Sequence, residues 1–194
     1  MIFQLLRGAR RRRTIDALYG AIVAQARHPV FYRDFGVPDT VEGRFEMIVL
    51  HIVLLVRRVR SEPAHIRALG QGVFDRFCVD MDHNLREMGV GDLAVPKRMQ
   101  GIGEAFYGRA QTYDRVLGSD GPEALAATLA RNVFAAEELS GARRLAAYVA
   151  MAERHLARQE GPGLAAGTLD FPAPIPISGD ERGAIRSAMA GKET

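Results

Sequence analysis

The side chains best spaced for chemistry lie in one stretch of the chain. Asp80, His83 and Glu87 follow one another at i, i+3 and i+7, so a helix through them presents all three on one face. Two carboxylates and an imidazole so placed are candidate metal ligands, and Glu62-x-x-His65 adds a second Glu/His pair. A di-iron bundle asks for two Glu-x-x-His motifs and a Glu from each of two further helices. Here Glu62 opens at a proline turn, and Asp80 stands where a Glu is wanted. The competing reading is a solvated face on which Arg76, Asp82 and Arg86 form local ion pairs. Cys78 is the single cysteine, which excludes an intramolecular disulfide and a Cys-based zinc site. It falls on the apolar side of an amphipathic pattern and reads as a core thiol rather than a nucleophile. His51, inside a run of aliphatic residues, reads as a core histidine with hydrogen-bond partners. There is no phosphate-cradling GxxxxGK[ST] and no GxSxG elbow. Gly101-Ile102-Gly103 lies in a helical pattern with no strand before it.

The fourth chemical feature is electrostatic. Arg7 and Arg10–Arg13 give the first thirteen residues +5, so the rest of the chain carries −2 of the net +3. The basic pI of 9.3 thus comes from a short patch, which argues against a basic face for nucleic acid. Arg10, Arg11, Arg12 and Arg13 are candidates for touching an anionic membrane surface, with Met1–Leu6 as an apolar companion. RNA phosphates are the alternative. Of the 26 basic residues 24 are Arg, a codon-usage pattern more than a chemical one. Met1–Leu6 is too short for a secretory h-region and precedes the charges instead of following them. The greasiest stretch, Met47–Val56, is about half the roughly 20 residues that a spanning helix needs. A soluble or peripheral protein of a reducing compartment is expected.

The elements that must position these residues are helical throughout. The composition is globular, with 47% hydrophobic and 25% charged residues in 194. Thr14 is the expected N-cap of a helix to about Arg27, and a short aromatic turn follows His28-Pro29. Thr40 caps a helix to about Arg60, apolar nearly all round from Phe45 to Val56 and therefore central. After Ser61-Glu62-Pro63, Gly70 and Gly72 are expected to interrupt the helix. Phe74, Phe77, Cys78, Met81, Leu85 and Met88 then mark an amphipathic one, closed by Gly89 with Val90. Pro96 opens the next helix, in which Gly101, Gly103 and Gly108 are expected to permit close contacts. Ala-rich helices follow over Glu123–Leu139 and Ala142–Glu160. Leu169–Ile177 is expected to be extended, and residues 178–194 a mobile tail. The expected fold is all-α: one compact domain of about six to seven helices over 14–160. A basic tip over 1–13 precedes it, and a Pro/Gly-rich segment over 161–194 follows.

From Leu18 to Leu117 the sequence resembles the ubiquinol–cytochrome c chaperone family, bacterial relatives of the Cbp3-type assembly factor. Leu18-Tyr19, Phe31-Tyr32 and Asp39-Thr40-x-x-Gly43-Arg44-Phe45-Glu46-Met47-Ile48 carry it first. Phe74-Asp75-x-Phe77-x-x-Asp80-Met81-Asp82-x-x-Leu85-Arg86-Glu87-Met88-Gly89-Val90-Gly91-Asp92 is the most telling piece. Val95-Pro96-Lys97 and Phe106-Tyr107-Gly108-Arg109 complete it. The resemblance implies a non-enzymatic assembly factor for the cytochrome bc1 complex, with no cofactor of its own. Its implied partner is newly made cytochrome b or an assembly intermediate. A second small assembly factor and the ribosome are partners of the mitochondrial relative. The place implied is the cytoplasmic face of the membrane.

For that role Met47, Met81, Met88 and Met99 offer plasticity. Asp80, Met81, Asp82, Arg86, Glu87, Asp92 and Lys97 are the candidate partner contacts. Lys- and Arg-rich cytoplasmic loops of a membrane protein would meet the acids among them. Replacing Asp80, Asp82 and Glu87 by Ala is expected to weaken binding without unfolding the domain. The competing functions are a metal-dependent helical protein using Asp80, His83 and Glu87, and a nucleic-acid-binding regulator using Arg10–Arg13.

Overall fold

The computed structural model describes residues 2–134 and 139–176, and the side chains of 8–118, 121–134 and 139–176. The architecture is all-α. The helices are α1 (Ile2–Ala26), α2 (Pro29–Arg33), α3 (Val41–Val59), α4 (Ala64–Glu87), α5 (Val95–Arg115), α6 (Gly121–Leu129), α7 (Ser140–Ala157) and α8 (Gly161–Ala166). Wider π-type turns extend α5 over Val116–Asp120 and α6 over Ala130–Phe134.

Helix α3 is the axis. Thr40 caps it through a 3.1 Å bond from the Gly43 N–H. Every residue from Glu46 to Leu55 is buried, as an all-round apolar helix must be. Helices α1, α4, α5 and α7 pack against it. His51 lies in this core, fully buried. Its Nδ1 is 2.7 Å from the Met47 carbonyl and its Nε2 2.9 Å from the Tyr148 hydroxyl. Burial pulls its pKa down to about 4, so the ring is neutral.

Three expectations from the sequence are corrected. Helix α1 starts at Ile2, and Thr14 lies within it rather than capping it. The Arg-rich segment is a good helix former, and the Thr14 hydroxyl instead donates to the Ala165 carbonyl at 3.2 Å. Helix α4 runs unbroken through Gly70 and Gly72. Both glycines serve close packing: a Cβ on Gly72 would collide with Ile15 of α1, and one on Gly70 would lie 3.3 Å from Val59 of α3. Packing there outweighs the roughly 1 kcal/mol that each Gly costs a helix. Gly101, Gly103 and Gly108 do the reverse of what was expected, since a Cβ on any of them meets nothing within 4 Å.

The Pro-rich end also contains a helix. Pro162 occupies the first turn of α8, and Gly167, at φ +92°, closes it in the left-handed region. Thr168–Pro176 is then extended, as the prolines predict. It is docked: Leu169 and Phe171 are buried, and Phe171 meets the His51 ring edge-on at 5.1 Å. Gln25 donates to both the Tyr148 hydroxyl and the Pro172 carbonyl, at 2.9 and 3.1 Å. Ile177, the expected tail over 178–194, and residues 135–138 of the expected Glu123–Leu139 helix lie outside the described residues.

Candidate functional site

Helices α4 and α5 form a hairpin. At its base an aromatic cluster ties them together: Phe74 and Phe106 are 4.4 Å apart between centroids, and Phe77 and Phe106 6.0 Å. Phe45 of α3 joins Phe77 at 5.9 Å. The Glu46 carboxylate, almost fully buried, takes bonds from both Nε and Nη2 of Arg109, at 3.1 and 2.7 Å. That bidentate ion pair joins α3 to α5 where removing one partner would strand a buried charge.

Beyond this base the apolar stripe of α4 outlasts the core. Phe77 is fully buried, Cys78 and Met81 are half-buried against the core, and Met88 is 64% exposed. Burial raises the pKa of the Cys78 thiol, which disfavours the thiolate. The helix then ends as its sequence predicts. Gly89 has φ +81°. Its N–H bonds the Arg86 carbonyl, and the Val90 N–H bonds the Leu85 carbonyl, both at 3.0 Å. This is the Schellman pattern. The loop that follows holds Leu93 at 99% exposure, and α5 begins at Val95 with Pro96 in its first turn.

Five of the residues named as candidate contacts share this tip or its approach, but their surroundings differ. Asp82 and Asp92 both bind Arg86, Asp82 at 2.7 Å. Arg86 holds the Asp82 carboxyl below the usual range. Glu87 meets His83 at 3.1 Å, both well exposed. Lys97 is exposed in the first turn of α5, and Met81 packs inward. Asp80 departs from the expectation of a surface acid. It accepts a 2.8 Å bond from the buried Tyr19 hydroxyl of α1 and lies 3.8 Å from Arg76. The three residues of the alternative metal-site reading therefore do not converge. Asp80 turns to Tyr19, His83 and Glu87 to each other, and among the described residues no three His, Cys, Asp or Glu could share an ion. Arg10–Arg13 lie apart from the tip, all exposed on α1.

Sequence reasoning missed three surface residues, Val79, Leu93 and Tyr107, at 63, 99 and 60% exposure. Two signals were available. Adjacent helical residues point about 100° apart, so Phe106 and Tyr107 could not both face the core. Leu93 stands in a short connection between two helix-end signals, where nothing covers it.

The sequence pattern of the ubiquinol-cytochrome C chaperone family matches residues 33–171. The chain belongs to this family. The matched span contains the whole hairpin, α8 and the docked segment through Phe171; it leaves out the whole of α1, with Arg10–Arg13. The crystal structure of the Cbp3 homolog from Brucella abortus superposes with a TM-score of 0.80 at 40% identity, over 89% of this chain and 97% of that one. Ubiquinol-cytochrome-c reductase complex assembly factor 1 from Xenopus laevis is 24% identical over 117 residues, 60% of this chain and 58% of the relative. Its Drosophila melanogaster counterpart is 26% identical over 150 residues, 73% of this chain and 57% of the relative. The chain thus spans less than three fifths of the length of these curated relatives. The fold class and family expected from the sequence hold.

No helix among the described residues is long and apolar enough to cross a membrane.

Proposed function

We propose that this chain is a non-enzymatic assembly chaperone for ubiquinol–cytochrome c reductase, the cytochrome bc1 complex. Its client is newly made cytochrome b, received at the cytoplasmic face of the membrane by the tip of the α4–α5 hairpin. Family membership supports the pathway. The observation that carries the site is the exposed apolar pair Met88 and Leu93 at the tip, left uncovered beside Glu87, Asp92 and the Arg86 that Asp82 and Asp92 share. Exposed apolar side chains rimmed by charge mark an interaction site. Met88 adapts to irregular client surfaces, and the acids complement Lys- and Arg-rich cytoplasmic loops. A second small assembly factor or the ribosome would be a further partner of the same complex.

The test is affinity purification of the tagged protein from gently solubilised host cells, with cytochrome b quantified by mass spectrometry. Wild type enriches cytochrome b over other abundant membrane proteins. Leu93→Asp combined with Met88→Ser loses it by about tenfold or more, the effect of removing interface anchors, while circular dichroism stays unchanged. Recovery of no bc1 component defeats the functional reading. Full recovery by the folded double variant defeats the hairpin assignment alone.

A further inference from the structure

Helices α1 and α4 run parallel. Arg11 bonds the Ala68 carbonyl, Ile15 packs at Gly72, Asp16 pairs with Arg76, and Tyr19 with Asp80. That register sets Ala64, the start of α4, level with residue 7 of α1, so the turn Ile2–Leu6 continues past it. At this end, between α1, α4 and α8, an open cleft of about 480 Å³ is lined by Arg10, Arg11, Thr14, His65, Leu69 and Ala165.

The cleft is cationic. None of its lining residues is acidic, and Glu62 nearby is committed to Arg58 at 2.6 Å. Arg11 is pre-positioned by its 3.3 Å bond to the Ala68 carbonyl. Leu69 is a buried apolar floor. No side chain caps α4 at Pro63, so the positive end of its dipole lies beside His65.

We infer that this cleft binds the phosphate of an anionic lipid headgroup, with Arg10, Arg11 and His65 as its donors. This rests on the membrane-face part of the reading above. Lipid is favoured over a polynucleotide because the charge is local. The first thirteen residues hold +5 and the rest of the chain −2, which leaves no basic face for a long strand. It is favoured over a soluble phosphate because the sequence just ahead of the cleft arginines, Ile2–Leu6, is mostly apolar, and a basic cluster with an apolar companion makes a two-part membrane anchor.

Flotation of the full-length protein with phosphatidylcholine vesicles, with and without phosphatidylglycerol, tests this. Wild type floats only with the mixed vesicles. Arg10→Ala with Arg11→Ala loses on the order of thirtyfold in partitioning, about fivefold for each basic contact. Arg12→Ala with Arg13→Ala removes the same charge from the same helix outside the cleft and loses roughly threefold or less. His65→Ala, which removes a hydrogen-bond donor and leaves α1 untouched, loses roughly threefold. Equal losses in the two arginine pairs would mean diffuse attraction and overturn the cleft. Flotation unchanged in Arg10→Ala with Arg11→Ala, together with binding of inorganic phosphate that this variant loses, overturns lipid in favour of a soluble phosphoryl ligand. Steeply salt-dependent RNA binding, lost in Arg10→Ala with Arg11→Ala and without any flotation, overturns it in favour of nucleic acid. The two readings fail separately. Arg10→Ala with Arg11→Ala still recovers cytochrome b from detergent extracts, and the Leu93→Asp with Met88→Ser protein still floats.

Discussion

Tyr19 on α1 donates its hydroxyl to Asp80 on α4 across 2.8 Å, and the Arg76 guanidinium lies 5.3 Å from the centre of the same tyrosine ring. The phenol is buried, and burial together with the neighbouring carboxylate raises its pKa, so it remains a donor at any physiological pH. Asp80 thus fastens two parallel helices, while Asp82 and Glu87 a turn away hold only surface partners. Asp80→Ala leaves a buried hydroxyl without its acceptor and is expected to cost about 1–2 kcal/mol. Asp82→Ala and Glu87→Ala should leave the midpoint close to that of wild type, as exposed ion pairs do. Urea unfolding midpoints check this; three equal effects would remove the distinction. The practical consequence is that client binding is best probed at Asp82 and Glu87, where a loss cannot be blamed on the fold.

A second expectation concerns acid. His51 is neutral in the folded chain, its pKa pulled from 6.5 to about 4 by burial. Above pH 6.5 neither state protonates it, and its contribution is constant. Between 6.5 and 4 the unfolded chain takes up a proton that the folded chain refuses, so stability falls as pH falls. By pH 4.5 the loss from this group is on the order of 2–3 kcal/mol. His51→Gln keeps hydrogen-bonding groups beside Met47 and Tyr148 but cannot titrate. It should therefore be less stable than wild type at pH 7 yet lose less between pH 7 and 4.5. Parallel pH curves for the two proteins would show that His51 is not the group responsible.

These two residues mark what could and could not be read before the fold. His51 was legible because an imidazole amid aliphatic neighbours on an all-apolar helix has nowhere else to go. The caps at Thr40 and Gly89 and the start at Pro96 were legible because each is decided within one turn of chain. The start of α1 and the passage of α4 through Gly70 and Gly72 were not, because contacts from distant residues decide them: Ala165 occupies Thr14, and Ile15 fills the space over Gly72. The site divided the same way. The stripe ending at Met88 was visible as a pattern, but its emergence from the core depends on where α5 stops covering it. The diversion of Asp80 depends on Tyr19, 61 residues away. Resemblance located Glu46 and Arg109 in two separate motif pieces without showing that they form one ion pair.

Glycine chemistry separates structural from incidental motif positions. Gly43 lies in the first turn of α3, and the space a Cβ would need is occupied by the Pro38 backbone carbonyl. A backbone atom cannot swing aside as a side-chain end can, so Gly43→Ala must shift the turn before α3 and should cost about 1–3 kcal/mol, the range for overpacking. Gly101 lies inside α5 facing open space. There Ala adds helix propensity and restricts the unfolded chain, so Gly101→Ala should gain about 0.5–1 kcal/mol. Thermal midpoints of the two single variants read both signs at once, and a gain at Gly43 or a loss at Gly101 would contradict the packing described. Because Gly101 lies outside the exposed Met88 and Leu93 of the hairpin tip, its alanine variant should also retain full cytochrome b capture. A stabilised hairpin that captures less client would mean that recognition requires α5 to bend.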